Sequence, residues 1–384
     1  MSIVREPPSR AGEVLRAVHR TPGIPRAELA ARLGLSSGLA SDLVARLVAA
    51  TWLSEGEPAA AGGRGRPTRT LWAHPDGPLV AAIAISHETW RVELCEIGGA
   101  VADCSQGSHD RDRAAVLGAV RRALRAMWRT HGPRIRGVAV SAPGIVSGCR
   151  LVQAPNLGWE NVDFASMLPA EAVAAGVALH VGNDANDSAV AELARGAAEG
   201  LSGVLVVFMD SGVGGALIDG GRVIQGAHGM SGEFGHLPLG SRRVRCRCGA
   251  AGCWNTQLDG AAFARLLDRP LPADEVTFSR AVLTAASAGG REELRAARAV
   301  AQALGRGTAG LVNACDPERV VFCGLAATML SVLPEAVEQA YLDGLMSTRA
   351  AAAPEIVPGV LGDRAPLVGA MEEAFAPVLC QPAL

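Results

Sequence analysis

The sequence contains no lysine, and all 36 of its cationic side chains are arginine. Schiff-base chemistry, a P-loop lysine and a serine–lysine nucleophile are excluded together, because arginine cannot stand in for a titrating amine. Aromatic residues are scarce at 4%, with a single tyrosine. No apolar run reaches the ~18 residues that a membrane span requires, and the first twenty residues lack a hydrophobic leader core. Neither sign of charge is in excess: 38 acidic side chains leave a net of −2, too little to mark a nucleic acid or a membrane as partner. These absences predict a cytoplasmic protein without membrane contact. Its nine cysteines are then expected to be reduced or metal-bound. What is present, 49% apolar residues and 46 glycines over 384 positions, fits an α/β chain of two or three domains.

The charge is distributed unevenly. Residues 1–78 carry ten arginines against seven acids, whereas residues 79–384 carry 26 against 31. Within the basic part, Val14, Leu15 and Val18 form one helical stripe, closed by Thr21-Pro22-Gly23. Leu29, Ala30 and Leu33 form a second, ended by Gly34. Leu39, Leu43 and Leu47 form a third, with Ser36 or Ser37 able to cap it. Two helices joined by a tight glycine turn outline a helix-turn-helix, and a plain three-helix cap is the alternative. The segment Ala61-Gly62-Gly63-Arg64-Gly65-Arg66-Pro67-Thr68-Arg69 between short extended stretches reads as the wing of a winged helix, or else as a basic linker. Arginines on such a loop pair with phosphates or enter a narrow minor groove. The exposed start of the third helix offers Ser36, Ser37, Gly38 and Ser41, with Arg46 as the only long donor. Base readout through bidentate pairs is therefore expected to be modest.

From residue 79 the periodicity changes. Leu79–Ile85 and 92–97 run apolar around a polar turn at 86–90 and end in Gly98-Gly99; a helix near 114–129 and a strand near 135–140 follow. A similar series returns at 204–208, the turn Asp210-Ser211-Gly212, 214–218 and Gly220-Gly221. Two lobes opening alike point to a duplicated α/β architecture. Alanine-rich stretches at 261–268, 291–312 and 331–345 predict helices, with a further strand at 320–322.

His236 is followed by Cys246, Cys248 and Cys253. One imidazole and three thiols joined by a glycine-rich knuckle form a tetrahedral Zn²⁺ donor set, and four protein ligands leave no open position, so a zinc here is expected to be structural. The remaining cysteines sit among apolar residues and are expected to be core fillers.

These motifs together resemble the ROK family of repressors, uncharacterised frames and sugar kinases, over roughly residues 11 to 371. The carriers are Glu233-Phe234-Gly235-His236 with Cys246-Arg247-Cys248-Gly249-Ala250-Ala251-Gly252-Cys253, the segment Pro155-Asn156-Leu157-Gly158-Trp159, and Gly182-Asn183-Asp184-Ala185-Asn186. The N-terminal unit ending in Gly-Arg-Gly-Arg-Pro is similar to the repressor branch, with its xylose- and N-acetylglucosamine-type regulators. The resemblance implies a winged helix-turn-helix over 1–75, followed over 76–384 by an actin-like, hexokinase-type domain of two α/β lobes. It implies that Asn156, Asn183, Asp184 and Glu233 meet a sugar's hydroxyls, that Gly144 brings backbone near the sugar, and that His236 holds the Glu233 loop while ligating zinc. Asn255 stands where the family usually has a glutamate as a further sugar contact, and its amide can still hydrogen-bond there.

In the family's kinases Asp184 would be the base that deprotonates the attacking hydroxyl. The nucleotide loops depart from the kinase pattern. Ala84-Ile85-Ser86-His87-Glu88 replaces DxGxT, Asp210-Ser211-Gly212-Val213-Gly214-Gly215 replaces Gly-Thr-Gly-x-Gly-Gly, and Cys323-Gly324 replaces a glycine pair. Phosphoryl transfer depends on positioning and charge neutralisation at those loops. The expectation is therefore a sugar-responsive DNA-binding regulator, usually a repressor, with Asp184 a vestigial base and no catalysis. Its implied partners are a double-stranded operator, a sugar effector and its own copies in a homodimer or homotetramer. The alternatives are an ATP-dependent, glucokinase-like sugar kinase with a DNA-binding appendage, and a regulator that answers to a protein partner.

Overall fold

The computed structural model describes residues 7–58 and 69–382. Its first unit holds α1 (Arg10–Arg20), α2 (Arg26–Arg32) and α3 (Ser37–Ala49) with a small antiparallel sheet. The Ser9 and Ser36 hydroxyls cap α1 and α3 by accepting from the Gly12 and Leu39 amides, satisfying donors that a helix start leaves free. Strands β1 (Ile24–Pro25), β2 (Leu53–Pro58) and β3 (Arg69–Ala73) order as β1-β3-β2. The antiparallel β2 and β3 thus flank the expected wing. Arg64 and Arg66 lie outside the described residues.

Apart from the exposed Leu39, the leucines and valines of these stripes face inward or are half-buried, and the core they form does not stop at the unit's edge. Leu15, Val18, Leu29 and Leu47 share one buried cluster with Val80, Ala82 and Ile97 of the next domain and with Phe375 and Leu379 near the C-terminus. At Gly12 a Cβ would lie 2.5 Å from the carbonyl oxygens of Leu379 and Cys380, so only glycine permits that approach.

The first lobe opens with the antiparallel strands β4 (Leu79–Ile85), β5 (Thr89–Glu96) and β6 (Val101–Ser108). After α4 (Arg113–His131), β7 (Ile135–Ala142) joins β4 in parallel. A small sheet of β8 (Ile145–Ser147), β9 (Arg150–Ala154) and β10 (Trp159–Asp163) and the short α5 (Ala170–Ala174) come next. Then β11 (Ala178–Asn183) runs parallel to β7 and leads into α6 (Asp184–Arg195). The second lobe repeats the plan. Antiparallel β12 (Val204–Met209), β13 (Val213–Asp219) and β14 (Arg222–Val223) precede α7 (Gly260–Leu266), α8 (Glu275–Ser287) and α9 (Arg291–Cys315). Strand β15 (Arg319–Gly324) then joins β12 in parallel. Helices α10 (Leu325–Val332), α11 (Pro334–Gly344) and α12 (Ser347–Ala350) lead to β16 (Glu355–Pro358), parallel to β15. The two five-stranded sheets, β11-β7-β4-β5-β6 and β14-β13-β12-β15-β16, have one topology: a meander whose first strand pairs in parallel with an added strand, which in turn pairs in parallel with a second. The duplication expected from the strand–turn–strand pattern is therefore present.

The helix expected over 331–345 is two helices. Pro334 is the first residue of α11; it has no N–H to donate, and Leu333 before it leaves the helical region at φ −137°, ψ 54°. The last helix, α13 (Ala365–Val378), returns to the first lobe and packs on α6, β4 and β7.

Candidate ligand cleft and metal centre

The parallel strands of each lobe end toward the space between the lobes, where open α/β sheets place their ligands. At the end of β11, Asn183 caps α6. Its Oδ1 accepts from the Ala185 and Asn186 amides at 2.9 and 3.2 Å, and its Nδ2 donates to the Gly144 carbonyl at 2.9 Å. Gly144 has φ +110°, and a Cβ there would sit 2.3 Å from the Gln153 carbonyl oxygen. Its glycine requirement is thus met by close passage against β9, a packing role distinct from the sugar approach expected of it. Asp184, beside this brace, is half-buried and faces neighbouring acids. Burial first, then the charges of Asp210 and Glu233, push its carboxyl up to about 7. Burial likewise raises Glu233, while His236 opposes the shift.

From the first lobe, the turn after β9 presents Asn156. Its Nδ2 donates to the Ser211 hydroxyl at 2.9 Å, and its Oδ1 accepts from Arg247 Nη1 at 3.1 Å. Arg247 also pairs with Glu275. Because Ser211, Arg247 and Glu275 belong to the second lobe, this chain of contacts bridges the cleft. Asn255 is engaged within the second lobe: its Oδ1 accepts from the Val213 amide at 2.8 Å and its Nδ2 donates to Asp259 at 3.3 Å. In this geometry Asn255 supports the Asp210–Gly215 loop, where the resemblance implied a sugar contact.

The side chains of His236, Cys246, Cys248 and Cys253 converge, with one donor atom from each all within 4.8 Å of one another. Among them, His236 Nδ1 lies 3.8 Å from Cys246 Sγ, and the Cys248 and Cys253 sulfurs lie 3.6 Å apart. Three thiols and one imidazole at this closeness suit a closed tetrahedral metal site. With Nδ1 turned to the thiols, His236 Nε2 faces Glu233 Oε2 at 3.6 Å, so a metal ligand and a cleft carboxylate meet through one ring. Trp254, next to the last cysteine, is fully buried and donates from its indole to the Ala303 carbonyl at 2.9 Å, which ties the knuckle to α9.

On the DNA-binding unit, Ser37, Gly38 and Arg46 are exposed along α3. Ser36 is spent on its cap, and the Ser41 hydroxyl donates to the Ser37 carbonyl at 2.8 Å. Leu39, 43% exposed beside them, adds an apolar side chain that the sequence reading assigned to the core stripe.

Sequence reasoning did not find the junction between this unit and the lobes. His19, at the end of α1, is buried; its Nδ1 accepts from the Gly98 amide at 2.9 Å and its Nε2 lies 3.2 Å from Glu372 of α13. Arg195, the last residue of α6, donates to the His19 carbonyl at 3.2 Å, the Gly98 carbonyl at 3.0 Å and Glu372 at 2.5 Å. Burial raises the Glu372 carboxyl, but His19 and Arg195 more than reverse it, leaving it below its ordinary value. Helix α6 therefore begins at Asp184 in the cleft and ends on the DNA-binding unit, 12 residues or about 18 Å later.

The chain matches the winged helix-turn-helix DNA-binding model over residues 11–50 and the ROK family model over residues 88–374. It is similar to a glucokinase of Halalkalibacterium halodurans, at 28% identity over 61% of this chain and 74% of that one. It is also similar to the xylose repressor of Bacillus subtilis, at 23% identity over 93% of this chain and 92% of that one. Among solved structures, a ROK family transcriptional regulator described as a homologue of the E. coli MLC protein has the same fold, with a TM-score of 0.76, 22% identity and 96% of both chains covered. No helix among the described residues is long and apolar enough to cross a membrane. With three quarters of its length matched, the chain belongs to the ROK family and carries a winged helix-turn-helix DNA-binding unit before its two-lobed domain.

Proposed function

We propose that the chain is a sugar-responsive transcriptional repressor. The observation that carries this reading is α6, one rigid element with Asp184 at its cleft end and the His19 contact of the DNA-binding unit at the other. The unit over residues 1–75 would bind a pseudo-palindromic operator as part of a cytoplasmic homodimer or homotetramer, and the unit over 76–384 would bind the effector. Ser37, Gly38, Ser41 and Arg46 would face the major groove, with Arg64 and Arg66 on the wing. Asn156, Asp184 and Glu233 would hold the sugar's hydroxyls, since carboxylates and amides offer the paired donors and acceptors that neighbouring hydroxyls require. A sugar bound between the lobes must displace or reorder the Asn156–Ser211 and Asn156–Arg247 contacts. It shifts the lobe equilibrium by its differential affinity for the two arrangements.

Zinc at His236, Cys246, Cys248 and Cys253 would act structurally. With the imidazole held on one side by the metal, its other nitrogen keeps the Glu233 carboxylate aimed into the cleft. The same reading has no catalytic step. Where the family's kinases keep small residues for phosphates, this chain has His87 and Glu88, with Asp210 and Asp274 opposite. The buried His87 ring fills space that small residues would leave for phosphates, so Asp184 is left as a sugar ligand.

The wing supplies the test of the DNA-binding half. Arg64→Ala combined with Arg66→Ala is expected to weaken binding to all sequences and to lower the slope of log affinity against log salt by about 2. Fluorescence anisotropy over a salt series measures it. An unchanged slope removes the wing from the interface, and ATP turnover with a hexose would return the chain to the kinases.

A further inference from the structure

A second cluster of metal-binding side chains lies between the lobes, apart from the cysteine knuckle. His87 sits in the β4–β5 turn and is 91% buried, since its relative exposure is 9%. Neither of its ring nitrogens has a hydrogen-bond partner among the described residues. An imidazole buried this deeply without a partner forfeits hydration at both nitrogens, a cost that folded proteins rarely leave uncompensated. Three carboxylates surround it. Asp210 Oδ2 lies 3.5 Å from Nδ1, while Asp274 Oδ1 and Glu88 Oε1 lie 3.5 and 3.8 Å from Nε2.

These separations are longer than good hydrogen bonds. The two from Nε2, 3.5 and 3.8 Å, approach the edges of a coordination polyhedron, where bonds of about 2.1 Å place neighbouring donors roughly 3.0–3.4 Å apart. One donor atom each from His87, Glu88 and Asp274 falls within 4.8 Å of the others. Asp274 is fixed in place as the cap of α8, accepting from the Val276 and Thr277 amides at 3.1 and 3.2 Å. On the far side of the ring, Asp210 Oδ2 faces Nδ1 at 3.5 Å, so Nε2 is the nitrogen turned to the other two acids. A carboxylate behind a ligating histidine is the usual outer partner of such a ligand.

We propose that His87 Nε2, Glu88 and Asp274 bind a divalent transition-metal ion, with Asp210 orienting the histidine. An imidazole among carboxylates favours Mn²⁺, Co²⁺ or Zn²⁺ over Mg²⁺ and Ca²⁺, which prefer oxygen alone. His87 and Glu88 come from the first lobe and Asp274 from the second, so the ion ties the lobes together beside the cleft. The site is independent of the cysteine knuckle and of whether the cleft takes a sugar.

Mn²⁺ is the discriminating probe, because it binds nitrogen and oxygen donors and competes poorly for thiolates. In the full chain, with the knuckle loaded with zinc, a titration followed by the electron paramagnetic resonance of free Mn²⁺ is expected to show one bound ion per chain. His87→Gln and Asp274→Asn are each expected to weaken that binding by about tenfold or more. Retained DNA binding and one retained zinc per chain would certify that each variant is folded. No bound Mn²⁺ in the wild-type chain overturns the proposal, as does binding that survives both substitutions.

Discussion

Replacing Asp184 by asparagine is expected to abolish the sugar response and, at the same time, to stabilise the protein above pH 7. An ionised carboxylate that accepts from two hydroxyls contributes about 1.5–3 kcal/mol through each bond, so the variant should lose at least ~100-fold in sugar affinity. The stability effect has the opposite sign. The carboxyl is raised to about 7 in the folded chain, by burial first and then by Asp210 and Glu233. In the unfolded chain it titrates near 4. Between those values the folded state holds a proton that the unfolded state has lost, so this group's contribution falls as pH rises from about 4 to 7 and is least favourable above. Asparagine removes the charge, and its advantage should be absent near pH 4 and full by pH 8. Allowing for the solvent that reaches a cleft residue, about 1–2 kcal/mol is expected, or a few degrees in Tm. Thermal melts at pH 5 and pH 8, paired with calorimetric sugar titration, test both halves. A variant no more stable at pH 8 than the parent, yet still responsive, would place the effector elsewhere. Such a site, kept at a cost to the fold, is the ordinary mark of a binding function.

The second large effect is expected at the other end of the same helix. Arg195→Ala should leave DNA and sugar binding each within a few-fold of the parent while removing their linkage. Coupling between sites is commonly worth 1–3 kcal/mol, a 5- to 150-fold change in operator affinity on adding effector. Without Arg195, α6 loses its donors to the His19 and Gly98 carbonyls and to Glu372, and the effector's effect should fall below about twofold. Arg195→Lys keeps the charge but not the fork of donors, so an intermediate coupling is expected. Anisotropy of a labelled operator with and without saturating sugar gives the number directly. Full coupling in the alanine variant would show that the lobes reach the DNA-binding unit by another path.

Much of this molecule is legible in its sequence because it is written in local patterns. The repeated strand–turn–strand ending in paired glycines marks both lobes, and the knuckle cysteines are close enough in the chain for their convergence to follow from spacing alone. The stripes of α1 to α3 are similarly local. What stays hidden is what joins distant parts. His19 and Glu372 are 353 positions apart, and Arg247 reaches Asn156 across 91. Nothing in the composition of α13 says that it returns to the first lobe. Nor can a motif tell which way an amide turns. Asn183 and Asn255 occupy positions that the family resemblance gives to sugar contacts, yet one braces Gly144 and caps α6 while the other holds the Val213 amide. His87 reads in sequence only as a bulky intruder in a phosphate loop; its burial among three carboxylates exists only once the lobes meet.

The most direct measurement is selection of genomic fragments by the purified chain at near-physiological salt, followed by elution with a panel of sugars. Specific fragments released by one sugar, and not by its isomers, are the predicted result, and would give operator and effector together. Specific fragments that no sugar releases would contradict the proposed switch and leave a regulator governed by another partner.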